Sequence, residues 1–94
     1  MAVNTETALT LVKTRLNRLP GDTSLDVYLT ARINAAIGEI EATGIVLTDS
    51  QADLLLVVDY AVWAYQNRDQ ATGMPDWLRL RRWERWVQQG VVNE

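Results

Sequence analysis

The chain has 94 residues, 48% apolar and 22% charged, with a net charge of −3 and neither histidine nor cysteine. Length and composition fit one small globular domain over residues 1–94, whose modest core would gain from oligomerisation. They exclude disorder, disulfide or thiolate chemistry and structural zinc, and the acidic excess opposes any general attraction to phosphates.

No apolar run approaches the length of a membrane-spanning helix, so no membrane partner is expected. The segment Met1–Thr7 lacks the basic-then-apolar order of a secretory signal. Charge is uneven along the chain. Residues 1–67 carry Lys13, Arg15, Arg18 and Arg32 against eight acidic residues, a net of −4. Residues 68–94 carry five arginines against Asp69, Asp76, Glu84 and Glu94, a net of +1. An acidic body with a basic end can associate head to tail with its own copies.

The first helix is predicted over Thr5–Arg18, after an Asn4 cap, with Ala8, Leu9, Val12, Leu16 and Leu19 as its apolar stripe. Pro20-Gly21-Asp22 ends it. The second is predicted over Ser24–Thr43, with Thr23 and Asp26 as a capping box. Leu25, Leu29, Ile33, Ala36, Ile37 and Ile40 form its main stripe. Ala31, Ala35, Gly38 and Ala42 form a second, small-residue face that another subunit's helix could approach closely. Gly44 stands where a C′ glycine belongs.

The third helix is predicted over Ser50–Arg68, with Thr48 and Gln51 as its capping box and Asp49 near its positive end. Its residues Leu54 to Val58 and Ala61 to Ala64 cover most of the circumference, interrupted only by Asp59 and Gln66 and by the edge positions Asp53 and Asn67, the mark of a buried central helix. Asp59 is then either a paired carboxylate or a group on a narrow exposed edge.

The fourth helix, Met74–Gly90, holds three of the four tryptophans and four of the nine basic residues. Pro75 is expected in its first turn and Gly90 at its close, with Gln70–Gly73 as the preceding loop and Val91–Glu94 as a tail. On a helical wheel, Trp77, Leu80, Trp83 and Val87 share a stripe that can face the core. Arg81, Arg85 and Arg82 fall opposite, with Leu78 among them and Trp86 between Arg82 and Arg79. Arg82 and Trp86 are placed to stack, whereas Arg81 and Arg85 repel and invite a partner's carboxylate. Tryptophan and arginine are the residues of interface hot spots, so this helix reads as a docking element; the plain alternative is a solvated basic face.

No strand alternation, repeat or linker interrupts this order. The fold class is all-α, a compact four-helix bundle-like protomer with a buried third helix and a Trp/Arg-rich C-terminal helix. Chemistry is sparse. Without histidine the commonest general base and metal ligand is missing. Ser24 and Ser50 stand at helix starts, where capping accounts for them, and the glycines form no phosphate loop. Asp49 and Asp53 share a face and could touch a cation, but the helix dipole alone explains carboxylates there. No enzyme, cofactor or metal site is expected.

Two stretches carry a resemblance. One is Leu47-Thr48-Asp49 with Leu54-Leu55-Leu56 and then Tyr60-Ala61-Val62-Trp63-Ala64-Tyr65-Gln66-Asn67-Arg68. The other is Met74-Pro75 with Leu78, Arg79 and Arg81. With Leu25, Leu29, Ala36 and Gly44 upstream, they resemble the small head–tail connector (adaptor) proteins of long-tailed bacteriophages, over roughly residues 5–86. The resemblance implies a virion protein made in the host cytoplasm and sited in the neck, at the head–tail interface. It would form a ring of copies, commonly a dodecamer, beneath the portal protein. That ring extends the DNA channel and docks a stopper or tail-completion protein, and double-stranded DNA passes without sequence-specific binding. By this likeness Met74, Pro75, Leu78, Arg79 and Arg81 match the family's terminal motif. Arg82, Arg85 and Trp86 join the expected protein interface through the mixed Trp/Arg face. The chain departs from the family at Asp76-Trp77 and at Arg82-Trp83-Glu84-Arg85, where partner-specific contacts would differ.

Two other classes compete. A small intracellular partner-binding protein, antitoxin-like or an anti-host factor, would present the same helix. A helix-turn-helix regulator could be read into Ile37–Gly44 followed by Leu47-Thr48-Asp49-Ser50-Gln51, but its recognition helix would be apolar and carry Asp53 and Asp59 where bases need donors.

Overall fold

The computed structural model describes residues 3–19, 21–69 and 73–92 and contains four helices and, among those residues, no strand. They are α1 (Thr5–Arg15), α2 (Asp26–Ala42), α3 (Gln51–Gln66) and α4 (Asp76–Val92). The chain is therefore the all-α, four-helix bundle-like fold that the pattern implies. Pro20 of the expected turn, Gln70, Ala71 and Thr72 of the expected loop, and Asn93 and Glu94 of the tail lie outside the described residues.

Helix ends follow local hydrogen bonding. Asn4 caps α1, its side chain accepting from Thr7 N at 3.0 Å. The helix stops three residues earlier than the apolar stripe suggests because Asn17 adopts φ 59°. There Asn17 N donates to Thr14 O and Arg18 N to Lys13 O, the paired closure of a Schellman motif. Leu19, expected on the core stripe, is therefore beyond the helix and exposed. Thr23 and Asp26 do not form a capping box: α2 begins at Asp26, whose carboxylate instead pairs with Lys13 Nζ at 2.9 Å. Ser24 is not a cap either, its hydroxyl being bonded to Asp22. At α3 the capping residue is Ser50, which accepts from Asp53 N, while Thr48 bonds the Asp53 carboxylate. Pro75 immediately precedes α4, its carbonyl accepting from Leu78 N and Arg79 N. Gly90 does not end that helix, which runs on to Val92.

One hydrophobic core joins the elements. Ala8 and Val12 of α1, Leu29, Ile33, Ala36 and Ile40 of α2, and Leu56, Val57, Val58, Ala61 and Val62 of α3 are buried together. Ile45 and Leu47 close one end from the α2–α3 connection, and Leu78 is α4's fully buried contribution. As the apolar circumference of α3 predicts, it is the central helix, although Leu55 reaches solvent. Ion pairs and ring contacts give the directions. Lys13 to Asp26 and Tyr28 to Tyr65 make α1–α2 and α2–α3 antiparallel, and α4 runs back along α3.

Gly44 has two reasons to be glycine. Its φ is +99°, and a Cβ there would sit 3.3 Å from Trp86 Nε1. Gly38 lies within α2 with nothing within 4 Å of an added Cβ. Gly44→Ala is expected to cost about 1–2 kcal/mol in urea unfolding, from the left-handed backbone alone. Gly38→Ala should stabilise by about 0.5–1 kcal/mol.

Candidate interaction site on the C-terminal helix

The fourth helix is docked the other way round from the wheel's simplest reading. Leu78 is 0% exposed, whereas Trp77, Leu80 and Trp83 are 50, 53 and 58% exposed. The stripe expected to face the core faces solvent, and the arginine stripe faces α3. The physical reason is on α3. Asp53 and Asp59 lie on the side that meets α4, and a buried carboxylate without a cation costs several kcal/mol. Arg81 and Arg85, four residues apart, supply those cations.

The Asp53 side chain is 1% exposed and fully engaged. Arg85 donates from Nε to Oδ1 at 2.7 Å and from Nη2 to Oδ2 at 3.1 Å, a two-point pair. Thr48 donates to Oδ2 from both its backbone N–H and its hydroxyl, each at 2.8 Å. Burial pushes the Asp53 carboxyl upward, but Arg85 and the two Thr48 donors outweigh it and hold the group below its ordinary value. Asp53 in turn raises Arg85 further. Asp59 bridges two helices, taking Arg15 of α1 at 2.5 Å on one oxygen and Arg81 of α4 on the other. The repulsion anticipated between Arg81 and Arg85 is thus relieved within the chain and not by a partner. Asp59 is the paired carboxylate of the two alternatives.

A second clip fixes the far end of α4. Gln89 accepts from Val46 N at 2.6 Å and donates to Gly44 O at 2.8 Å, while Arg85 Nη2 donates to Val46 O. Together they tie α4 to the connection between α2 and α3, with the Trp86 indole against Gly44. Two open grooves flank the Asp53–Arg85 pair. One of about 460 Å³ is lined by Ala52, Leu56, Arg81, Glu84 and Gln88, and another of about 440 Å³ by Val46, Thr48, Ser50 and Gln89. Among the described residues no group of three acidic, histidine or cysteine side chains could hold a metal.

The expected interface residues therefore divide. Leu78, Arg81 and Arg85 are occupied inside the protomer. Met74 packs half-buried against the core, and Pro75 is half-buried at the helix start. Arg82 is half-buried, the Tyr60 hydroxyl donates to Glu39 at 3.0 Å, and among the described residues no cation lies over Trp86. The expected Arg82–Trp86 stack is thus not formed. Arg79 is exposed and pairs with Asp76, and Trp86 stays half-exposed. On α2 the small residues Ala31, Ala35, Gly38 and Ala42 are all exposed, and no other helix of the protomer covers them. Sequence reasoning missed Asp53 and Gln89. The available signal was a pair of arginines one turn apart, Arg81 and Arg85, and two carboxylates, Asp53 and Asp59, on an otherwise apolar helix running the opposite way.

Comparison with models of known protein families, with curated proteins and with solved structures finds no match to this chain.

Asp53→Asn, which leaves Arg85 without its counter-charge, should destabilise the fold by about 3–5 kcal/mol in urea. Because the folded Asp53 pKa is depressed, its contribution is complete above the unfolded value of about 4 and disappears as pH falls through the folded one. Stability measured from neutral to acid pH should fall steeply at the acid end in the wild type and less steeply in Asp53→Asn.

Proposed function

We infer that the chain is a structural assembly protein, a head–tail connector protomer of a long-tailed phage. Copies of it form a ring beneath the portal, extend the DNA channel and dock the next neck component. The observation carrying this reading is the outward face of α4, where Trp77, Leu80 and Trp83 stand side by side in solvent. Large apolar side chains grouped on one rigid helix are the composition of a protein-binding hot spot, and leaving them wet in an isolated protomer is unfavourable. The sequence motifs at Leu47–Arg68 and Met74–Arg81 supply the identity of the assembly. The partners are neighbouring copies, the portal and a stopper or tail-completion protein, in the neck of the virion.

The helix-turn-helix reading has little support in the geometry. Its recognition helix would be α3, whose residues Leu56 to Val58 and Tyr60 to Val62 are buried, and whose carboxylates are paired with arginines. No helix among the described residues is long and apolar enough to cross a membrane.

Light scattering of the protein alone and mixed with portal rings tests the proposal. Binding to the portal, with or without prior ring formation, is expected for the wild type. Trp77→Ser with Trp83→Ser should abolish it while changing unfolding free energy by about 0.5 kcal/mol or less, as befits exposed positions. A protein that ignores portals would favour the alternative of a small partner-binding factor, whose copies would be missing from purified particles by mass spectrometry.

A further inference from the structure

A second feature lies at the other side of the molecule from the Asp53–Arg85 pair, where α1 ends, α2 begins and α3 ends. Tyr28 and Tyr65 meet edge to face, with centroids 5.9 Å apart. Arg68 stacks over Tyr65 at 4.1 Å, and Arg32 lies over Tyr28 at 5.3 Å. Arg32 Nε also donates to the Tyr28 hydroxyl at 2.9 Å. The rings hold the guanidiniums in place by cation–π contact and so reduce the side-chain entropy that a salt bridge would cost. Every other carboxylate–arginine pairing at this end is satisfied: Arg18 has Asp22, and Arg15 has Asp59. Arg32 and Arg68 have no carboxylate among the described residues, and Arg32 keeps both Nη groups uncommitted. Among the described residues Asp69 is the one nearby carboxylate without a cation, which leaves this end positive on balance.

The opposite end has the reverse imbalance. Antiparallel packing brings the start of α1, the end of α2 and the approach to α3 together there. Glu6, Glu41 and Asp49 are exposed at that end and have no basic partner among the described residues. On α4, Arg85 is committed to Asp53. Asp69 apart, the groups at these two ends that lack a salt-bridge partner among the described residues thus differ in sign.

We propose that the Arg32/Arg68 platform on Tyr28 and Tyr65 binds the Glu6/Glu41/Asp49 end of a second copy of this chain, joining protomers end to end. Guanidinium donors held on rings suit carboxylates, and the complementary surface is present on the same molecule. A contact between unlike ends is heterologous, the type that closes into a ring when the rotation allows. Nucleic acid phosphate is the less suitable ligand, because the chain is −3 overall and a long polyanion would run from the platform onto Asp22, Asp26 and Asp69. The proposal rests on the assembly reading above and specifies which surfaces of one copy meet the next. The α4 tryptophans remain free for the portal.

Sedimentation velocity of the full chain, without portal, at low and high salt tests it. The wild type should associate beyond the dimer at low salt and dissociate as salt screens the contact. Arg32→Glu with Arg68→Glu, and separately Glu6→Lys with Glu41→Lys and Asp49→Lys, should each weaken association by about tenfold to a hundredfold. Mixing the two variants is the sharper arm. One variant is then acidic at both ends and the other basic at both, so neither should associate alone, whereas the mixture should regain association by alternation of the two. Arg32→Gln with Arg68→Gln serves where charge reversal disturbs folding, as checked by circular dichroism. A wild type that stays monomeric at low salt overturns the proposal, as does association unaffected by these substitutions. Anisotropy of a labelled DNA duplex gives the remaining outcome: binding lost in the arginine variants while self-association is unchanged would assign the platform to phosphates and overturn it too. A monomer that still joins portal rings would refute the end-to-end contact and leave the connector reading in place. Self-association through these ends without portal binding would do the opposite.

Discussion

The carboxylate of Asp53 sets the arrangement of the molecule. It lies in the first turn of the central helix, almost wholly out of solvent, and must be ionised to accept its four hydrogen bonds. Only a two-point arginine contact balances such a group. Arg85 provides it, and with Arg81 on Asp59 one turn away the register and rotation of α4 against α3 are both determined. Gln89 then fastens the same helix to the turn at Gly44, so the contact extends from ion pairs to backbone groups.

The orientation of every other α4 residue follows from that rotation. With Leu78, Arg81 and Arg85 inward, Trp77, Leu80 and Trp83 have nowhere to go but outward. Burying three such side chains against the core would gain some 1.5–3 kcal/mol each, but it would strand two carboxylates and two guanidiniums. Electrostatic satisfaction outweighs apolar burial here, and the surplus apolar surface stays in solvent. The same separation of roles appears elsewhere in the protomer: core aliphatics hold α1 to α3 together, while the Arg–Tyr platform and the opposed carboxylates remain at the ends.

How far the sequence reveals this varies with the kind of interaction. Periodicity located all four helices and the central place of α3, because burial of Leu29, Ile33, Ile40 and Val57 is a one-dimensional pattern. Asn4 and Gly44 were legible because capping is local. The end of α1 at Asn17 was not, since asparagine in the left-handed region is permitted and not required. The rotation of α4 was read backwards. A helical wheel ranks faces by hydrophobicity and has no way of weighing a carboxylate thirty residues earlier in the chain. The like charges of Arg81 and Arg85 were visible, and so was Asp59, but their match depends on antiparallel packing that only the folded chain displays. The Tyr28–Tyr65 contact was invisible for the same reason.

A double-mutant cycle on Asp53 and Arg85, read by urea unfolding, tests the central claim most directly, with the exposed Asp76–Arg79 pair as control. If the buried pair fixes α4, the Asp53–Arg85 coupling should be about 2 kcal/mol or more, against about 0.5 kcal/mol for the control. Equal and small couplings would show that α4 is held by something else and would contradict the arrangement argued here.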